Sequence, residues 1–158
     1  MSASLYIVAT PIGHLDDMSL RAIDVLRRVN VIAAEDTRHS SRLLHHFDIR
    51  TPLISYHDHS EASDLEGMLK RLRADETIAL ISDAGTPLVS DPGYKLVVAC
   101  HREQIPVVPI PGPSATITAL SAAGLPTDHF YFVGFLPPKP GQRVNRLQAL
   151  TAIEGTLI

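Results

Sequence analysis

Directly behind the apolar run Thr77–Ile81 the chain reads Ser82-Asp83-Ala84-Gly85-Thr86-Pro87, within the longer stretch SDAGTPLVSDPG. An aspartate leaving a buried strand can accept hydrogen bonds from a ligand hydroxyl or amine. Gly85 lets the backbone come close to a ligand, and Thr86-Pro87 fixes the turn. The same Asp83 could instead do no more than cap a turn. A second chemical cluster, Glu35-Asp36-Thr37-Arg38, offers either a base or a helix N-terminus with its acids placed for the dipole. Eight histidines are many for this length, and six precede residue 60. His57 and His59 would share a face if they lay on a strand, but no third ligand is evident, so surface or hydrogen-bonded histidines are favoured over zinc. His45-His46 reads as helix surface. No GxGxxG, GxxxxGK[ST] or GxSxG is present, which disfavours Rossmann and P-loop nucleotide sites and leaves hydrolase chemistry without a nucleophile.

The elements that must position these groups are legible as alternating patterns. Five β-rich apolar runs recur: Leu5–Ala9, Val31–Ala34, Leu53–Tyr56, Thr77–Ile81 and Val107–Ile110. Between them lie helical periodicities. Ala22, Val25, Leu26 and Val29 follow a possible N-cap at Ser19, and Leu65, Met68, Leu69 and Leu72 repeat the spacing. Arg38–Phe47 is a third helix, resting on Leu43, Leu44 and Phe47, and Asp91-Pro92 reads as the cap and first turn of a fourth. Strand alternating with helix predicts an α/β fold, a five-stranded and mainly parallel sheet with helices on both faces. Ligands of such sheets bind beyond the carboxyl ends of the strands. All five runs are followed there by Gly/Pro turns or clustered polar groups. Further on, a helix over Ser114–Ala123 is stopped by Gly124, Phe130–Phe135 reads as a sixth strand, and Arg143–Ile153 as a helix with Val144, Leu147 and Leu150 on one side. Thr156-Leu157-Ile158 opens a further apolar run at the last residue, which reads as a chain cut before its last domain closes.

Composition narrows the class. The chain has 158 residues, 45% of them apolar, enough for a packed core and against wholesale disorder. No apolar run approaches the roughly 20 residues that span a bilayer. The N-terminus lacks a basic leader pattern, so a cytoplasmic location is expected. A net charge of −3 makes no global case for nucleic acid, but a local patch could still dock one folded RNA. Cys100, the single cysteine, reads as a small buried hydrophobe.

Six segments in register carry a resemblance: TPIGHLDDMSLRA near the start, AAEDTRHS at 33–40, YHDH at 56–59, SDAGTPLVSDPG at 82–93, PIPGPSATITALSAAGLP at 109–126 and GFLP at 134–137. Together the chain resembles the tetrapyrrole methylase family. TPIG, AEDTR and SDAGTP are similar to its branch that methylates the ribose of a cytidine in 16S ribosomal RNA. The precorrin and uroporphyrinogen branches carry a GPG-type first loop and a GDP-type fourth loop. The resemblance implies S-adenosylmethionine as cofactor, a homodimer, and the small ribosomal subunit as partner. It implies an N-terminal α/β domain over 1–111, a connecting loop and helix over 112–126, and the truncated start of a second α/β domain over 127–158. Carried over by position, the cofactor contacts are Pro11, Ile81, Ser82, Asp83, Thr86, Ser114, Ala115 and Phe135. A ribose 2′-hydroxyl needs its proton drawn off, and Asp36 and His57 are the candidate bases. Arg38 is the candidate for RNA phosphate, which a guanidinium grips bidentately. Two departures touch the RNA side: His14 stands where the family usually has asparagine, and His59-Ser60-Glu61 where it usually has HNE. The resemblance leaves two other functions open: a tetrapyrrole-type small-molecule methylase, or a non-catalytic domain that binds S-adenosylmethionine or dimerises.

Overall fold

A computed structural model describes residues 3–56 and 62–158, so His57 and His59 lie outside the described residues. The chain divides into two compact units, Met1–Ser114 and Ala115–Ile158.

In the first unit, strands β1 (Ser4–Val8), β2 (Val31–Ala34), β3 (Leu53–Ser55), β4 (Thr77–Ile81) and β5 (Val107–Ile110) form one sheet of order β3-β2-β4-β1-β5. Every pairing in this sheet is parallel, which bears out the expected fold class. β4 lies at the centre, Ile78 opposite Leu5 on one side and Val31 on the other. A parallel sheet covered on both faces needs apolar side chains pointing both ways. All residues of β2 and β4 are accordingly buried. Leu5 and Ile7 of β1 pack in a cluster with Met68, Leu72, Leu96 and Cys100, while Val8 packs in another with Ala22, Leu26 and Leu44. The register of β2 against β4 is pinned at the amino edge by Asn30. Its Oδ1 accepts from the Thr77 amide and hydroxyl, both at 2.8 Å.

Four helices supply these clusters: α1 (Leu20–Arg28), α2 (Thr37–His46), α3 (Ala62–Arg73) and α4 (Tyr94–Arg102). Ser19 caps α1 as its position predicts, its Oγ accepting from the Ala22 amide at 3.1 Å. The expected cap of α4 is corrected: the helix opens at Tyr94 behind Gly93, not at Asp91-Pro92, and no side chain caps it. Gly93 sits at φ +129°, and a Cβ there would meet Leu80 Cδ2 at 2.5 Å and the side chain of Leu88. Close approach to the central strand, rather than capping chemistry, sets where α4 begins. Burial pushes the Cys100 thiol up to about 11, the carboxylate of Glu103 adding to it, so the cysteine stays protonated in the core.

The second unit holds α5 (Ala115–Ala122), β6 (Phe130–Tyr131), α6 (Pro140–Leu150) and β7 (Thr156–Leu157). Gly124 lies just past α5 at φ +66°. β6 is shorter than the expected Phe130–Phe135 because β7 offers it only two partners, Thr156 and Leu157, in parallel register. α6 begins three residues before Arg143, with Pro140 in its first turn. Its expected apolar face is only partly used: Leu150 is buried, whereas Val144 and Leu147 are about half exposed. No helix among the described residues is long and apolar enough to cross a membrane.

Leu26, fully buried between α1 and the sheet, should be costly to truncate. Leu26→Ala is expected to lower unfolding free energy by about 3 kcal/mol in urea titration. Leu20→Ala, at the exposed start of the same helix, should change it by less than about 0.5 kcal/mol.

Candidate functional site

At the carboxyl edge of the sheet the first and fourth loops are tied together by backbone. Thr10 and Gly85 exchange both hydrogen bonds, Thr10 N to Gly85 O at 2.9 Å and Gly85 N to Thr10 O at 3.0 Å. Thr10 is fully buried, and its hydroxyl donates to the Ser82 carbonyl at 3.0 Å. Gly85 holds φ +83°, a left-handed conformation that lets it turn back to Thr10 so soon after β4. The Ser82 hydroxyl sits inside the turn, 3.2 Å from the Gly85 carbonyl. Thr86 extends the linkage to the fifth loop, its Oγ1 donating to the Pro113 carbonyl at 3.1 Å.

Beyond Gly85 the loop stores strain. Leu88 and Ser90 hold φ +73° and +64°. Left-handed conformations of non-glycine residues cost on the order of 1–3 kcal/mol each, and such residues cluster where function fixes the backbone.

The second loop joins through a side chain. Asp83 Oδ1 accepts from the Asp36 amide at 3.3 Å. Asp36 in turn caps α2, its Oδ1 accepting from the Arg38 amide at 2.8 Å and the His39 amide at 3.3 Å. These bonds, the Arg38 amide first, hold its carboxyl below the usual carboxylate range, with the Arg38 guanidinium 3.6 Å away adding a little. A carboxylate so held is a weaker proton acceptor than a free one. Of the two readings open for Glu35–Arg38, the structure displays the helix N-terminus. Arg38 is almost wholly exposed beside it.

Sequence reasoning missed Asp91 as anything but a cap. Partial burial raises its carboxyl above the ordinary value, with the charges of Glu35 and Asp83 adding to the effect and a hydrogen bond from Ser82 opposing it. Three carboxylates from two loops, Glu35 behind β2 and Asp83 and Asp91 behind β4, therefore crowd one edge. The signal for this was the pairing of acids at strand ends, which shows only once β2 and β4 are known to be neighbours.

A cleft of about 400 Å³ opens beside this edge. It is lined by the first loop from Pro11 to Leu15, by His39, Arg42 and Leu43 of α2, and by Asp83 and Ala84. Of the positions expected to hold a cofactor, Pro11 and Asp83 line it, while Ile81, Ser82, Thr86 and Ser114 do not. Ile81 and Ser82 are buried at the end of β4, and Ser114 is partly exposed at the end of the first unit. Ala115 opens α5, and Phe135, 91% exposed, follows β6; both belong to the second unit.

A parallel sheet that gathers its polar, glycine-bearing loops at one carboxyl edge defines an open α/β domain of the ligand-binding kind. The chain belongs to the Tetrapyrrole (Corrin/Porphyrin) Methylases, whose family model matches residues 4–158. It is 57% identical over its whole length to Ribosomal RNA small subunit methyltransferase I of Pseudomonas aeruginosa, covering 56% of that protein. It is 55% identical over 98% of its length to the protein of the same name from Escherichia coli O157:H7, covering 54% of it. The chain thus spans about half the length of the curated relatives it matches. Among solved structures it is similar in fold to uroporphyrin-III-C-methyltransferase from Thermus thermophilus, with TM-score 0.60 and 24% identity over 82% of this chain and 58% of that one. It is also similar to cobalt precorrin-4 methyltransferase, with TM-score 0.63 and 18% identity over 82% of this chain and 56% of that one.

The bonds at this edge can be tested by substitution. Thr10→Val keeps the shape but removes the donor to the Ser82 carbonyl, and should cost about 1–3 kcal/mol in urea titration, whereas Thr10→Ser should recover most of it. Folding shifts Asp91 toward its protonated form, so its favourable contribution is complete below its ordinary value of 3.8 and is lost as pH rises through the raised value. Asp91→Asn should therefore raise the melting temperature at pH 7, and the advantage should vanish in scans below pH 3.8.

Proposed function

We propose that the protein is a methyltransferase acting with S-adenosylmethionine on the ribose 2′-hydroxyl of a cytidine in 16S ribosomal RNA of the small subunit. The observation that carries this is the 57% identity, across the whole chain, to a relative named for methylation of small-subunit ribosomal RNA. The geometry supports it, because the loops that resemblance assigns to the cofactor are the ones locked together at the sheet edge.

The donor set suits a ligand that is both zwitterionic and hydroxylated. Asp83 supplies a carboxylate for an amine or ribose hydroxyl, and Thr86 a hydroxyl. In this reading Pro11, Ile81, Ser82, Asp83 and Thr86, with Ser114, Ala115 and Phe135, hold the cofactor. Bound there, it supplies an electrophilic methyl group on sulfonium sulfur. The chain's own work is to align that group with the acceptor oxygen and to exclude water. Asp36 keeps α2 in place as its cap, so the proton of the 2′-hydroxyl falls to His57. Arg38, exposed beside that cap, meets RNA phosphate. A homodimer in the cytoplasm accompanies this reading by family resemblance.

The test measures transfer of labelled methyl from S-adenosylmethionine to isolated small ribosomal subunits, with uroporphyrinogen as the competing acceptor, alongside calorimetry of cofactor binding. Label is expected in the ribosomal RNA alone; label in uroporphyrinogen, or in neither, overturns the proposal. Asparagine caps helices as well as aspartate, so Asp36→Asn should keep turnover within about threefold. His57→Ala should lower kcat about 100-fold or more.

A further inference from the structure

The cleft between the first loop and α2 has no assigned occupant, and its lining has a definite chemistry. Ile12, Leu15 and Leu43 supply apolar surface from two elements. His39 and Arg42 lie three residues apart on one helix, and therefore on one side of it. α2 carries Arg38, His39, Arg42, His45 and His46 and no carboxylate between Thr37 and His46, in a chain whose net charge is −3. At the rim, His14 Nδ1 accepts from the Asp16 amide at 3.3 Å, leaving Nε2 out of that bond. A slot with apolar walls and a cationic lip matches a nucleotide: a flat base against the walls and phosphate at the lip.

Its placement sharpens the match. The cleft shares Pro11 and Asp83 with the proposed cofactor set and reaches none of Ile81, Ser82, Thr86 or Ser114. Group transfer requires donor and acceptor to abut without overlapping, and two residues common to both linings provide such a border. At about 400 Å³ the cleft has the size of a small-ligand site and no room for a folded RNA, so it would take one nucleotide out of a strand.

We propose that this cleft holds the acceptor nucleotide of a single-stranded RNA segment, with the base between Ile12, Leu15 and Leu43 and the flanking phosphate on Arg42 and His39. This rests on the RNA-methylating function proposed for the protein and adds the place where the substrate sits. It is tested by fluorescence anisotropy of this chain with a labelled five-nucleotide oligocytidylate at several salt concentrations. Arg42→Ala is expected to weaken binding about tenfold and to make the salt dependence shallower by about 0.7 in log–log slope, the loss of one single-strand phosphate contact. Leu15→Ala, at a position 42% exposed and so safe for folding, is expected to weaken binding about threefold to fivefold with the salt slope unchanged. Arg50→Ala removes another exposed cation, from the opposite edge before β3, and should stay within twofold. Absence of binding by the unaltered chain, equal binding by the Arg42 and Leu15 variants, or an equal loss in the Arg50 variant overturns the inference. The methyl-transfer assay separates the two readings. Transfer to small subunits that survives Arg42→Ala and Leu15→Ala removes the cleft and leaves the function. Oligocytidylate binding that obeys the variants, without transfer by the unaltered protein, removes the function and leaves an RNA site.

Discussion

The paired hydrogen bonds between Thr10 and Gly85 join two loops that leave neighbouring parallel strands. Parallel strands end side by side, but nothing in the ladder itself fixes the course of the chain past the last ladder bond. Without the bridge, each loop would be free to turn to either face of the sheet. With it, and with the Thr10 hydroxyl on the Ser82 carbonyl, the backbone of residues 82–85 is held from both sides. Thr86 then reaches Pro113 and Asp83 reaches the Asp36 amide, so four loops become one edge. Ligand binding at this edge depends on that connection more than on any single side chain.

The edge also divides its carboxylates by environment. Asp36 is partly exposed and accepts two amides, which favours its charged form. Asp91 is partly buried near two other acids, which disfavours its charged form. The same functional group is thereby pushed in opposite directions by its two surroundings. Three acids at one edge would repel one another if all were equally ionised. Backbone amides that donate to Asp36 and Asp83 keep the arrangement tolerable.

The parallel sheet could be read from the chain because burial on both faces forces nearly continuous apolar runs; Val31–Ala34 and Thr77–Ile81 leave no other assignment open. The cap of α1 was equally plain, since Ser19 precedes an i, i+3, i+4 pattern. The start of α4 was not. Asp91-Pro92 has the local chemistry of a helix start, and it loses to the packing of Gly93 against Leu80, a contact between residues 13 apart that no local rule contains. The left-handed Leu88 and Ser90 were hidden for a similar reason: nothing in their side chains prefers that conformation, and the surrounding loop imposes it. Within the site, the positions near strand ends were legible because topology alone brings them to one edge. Thr10 was not, since its importance lies in a bond to a carbonyl 72 residues away.

Net charge says nothing of how charge is distributed over the chain. A chain at −3 gives no reason to expect nucleic acid, yet its acids and bases are unevenly distributed. Asp24 lies against Arg28 at 3.1 Å, and Glu66 and Glu103 both face Arg73, so several carboxylates are spent on pairs away from the edge. α2, by contrast, carries two arginines and three histidines with no carboxylate of its own, its offsetting acids being the capping Asp36 and the adjoining Glu35 and Asp83. Screening confines the influence of exposed charges to roughly 8–10 Å at physiological salt. A phosphate at the mouth of the cleft would therefore respond to α2 and the adjoining loops far more than to the chain's total. The total charge of a weakly acidic chain is therefore a poor guide to the field at one basic helix beside an apolar cleft.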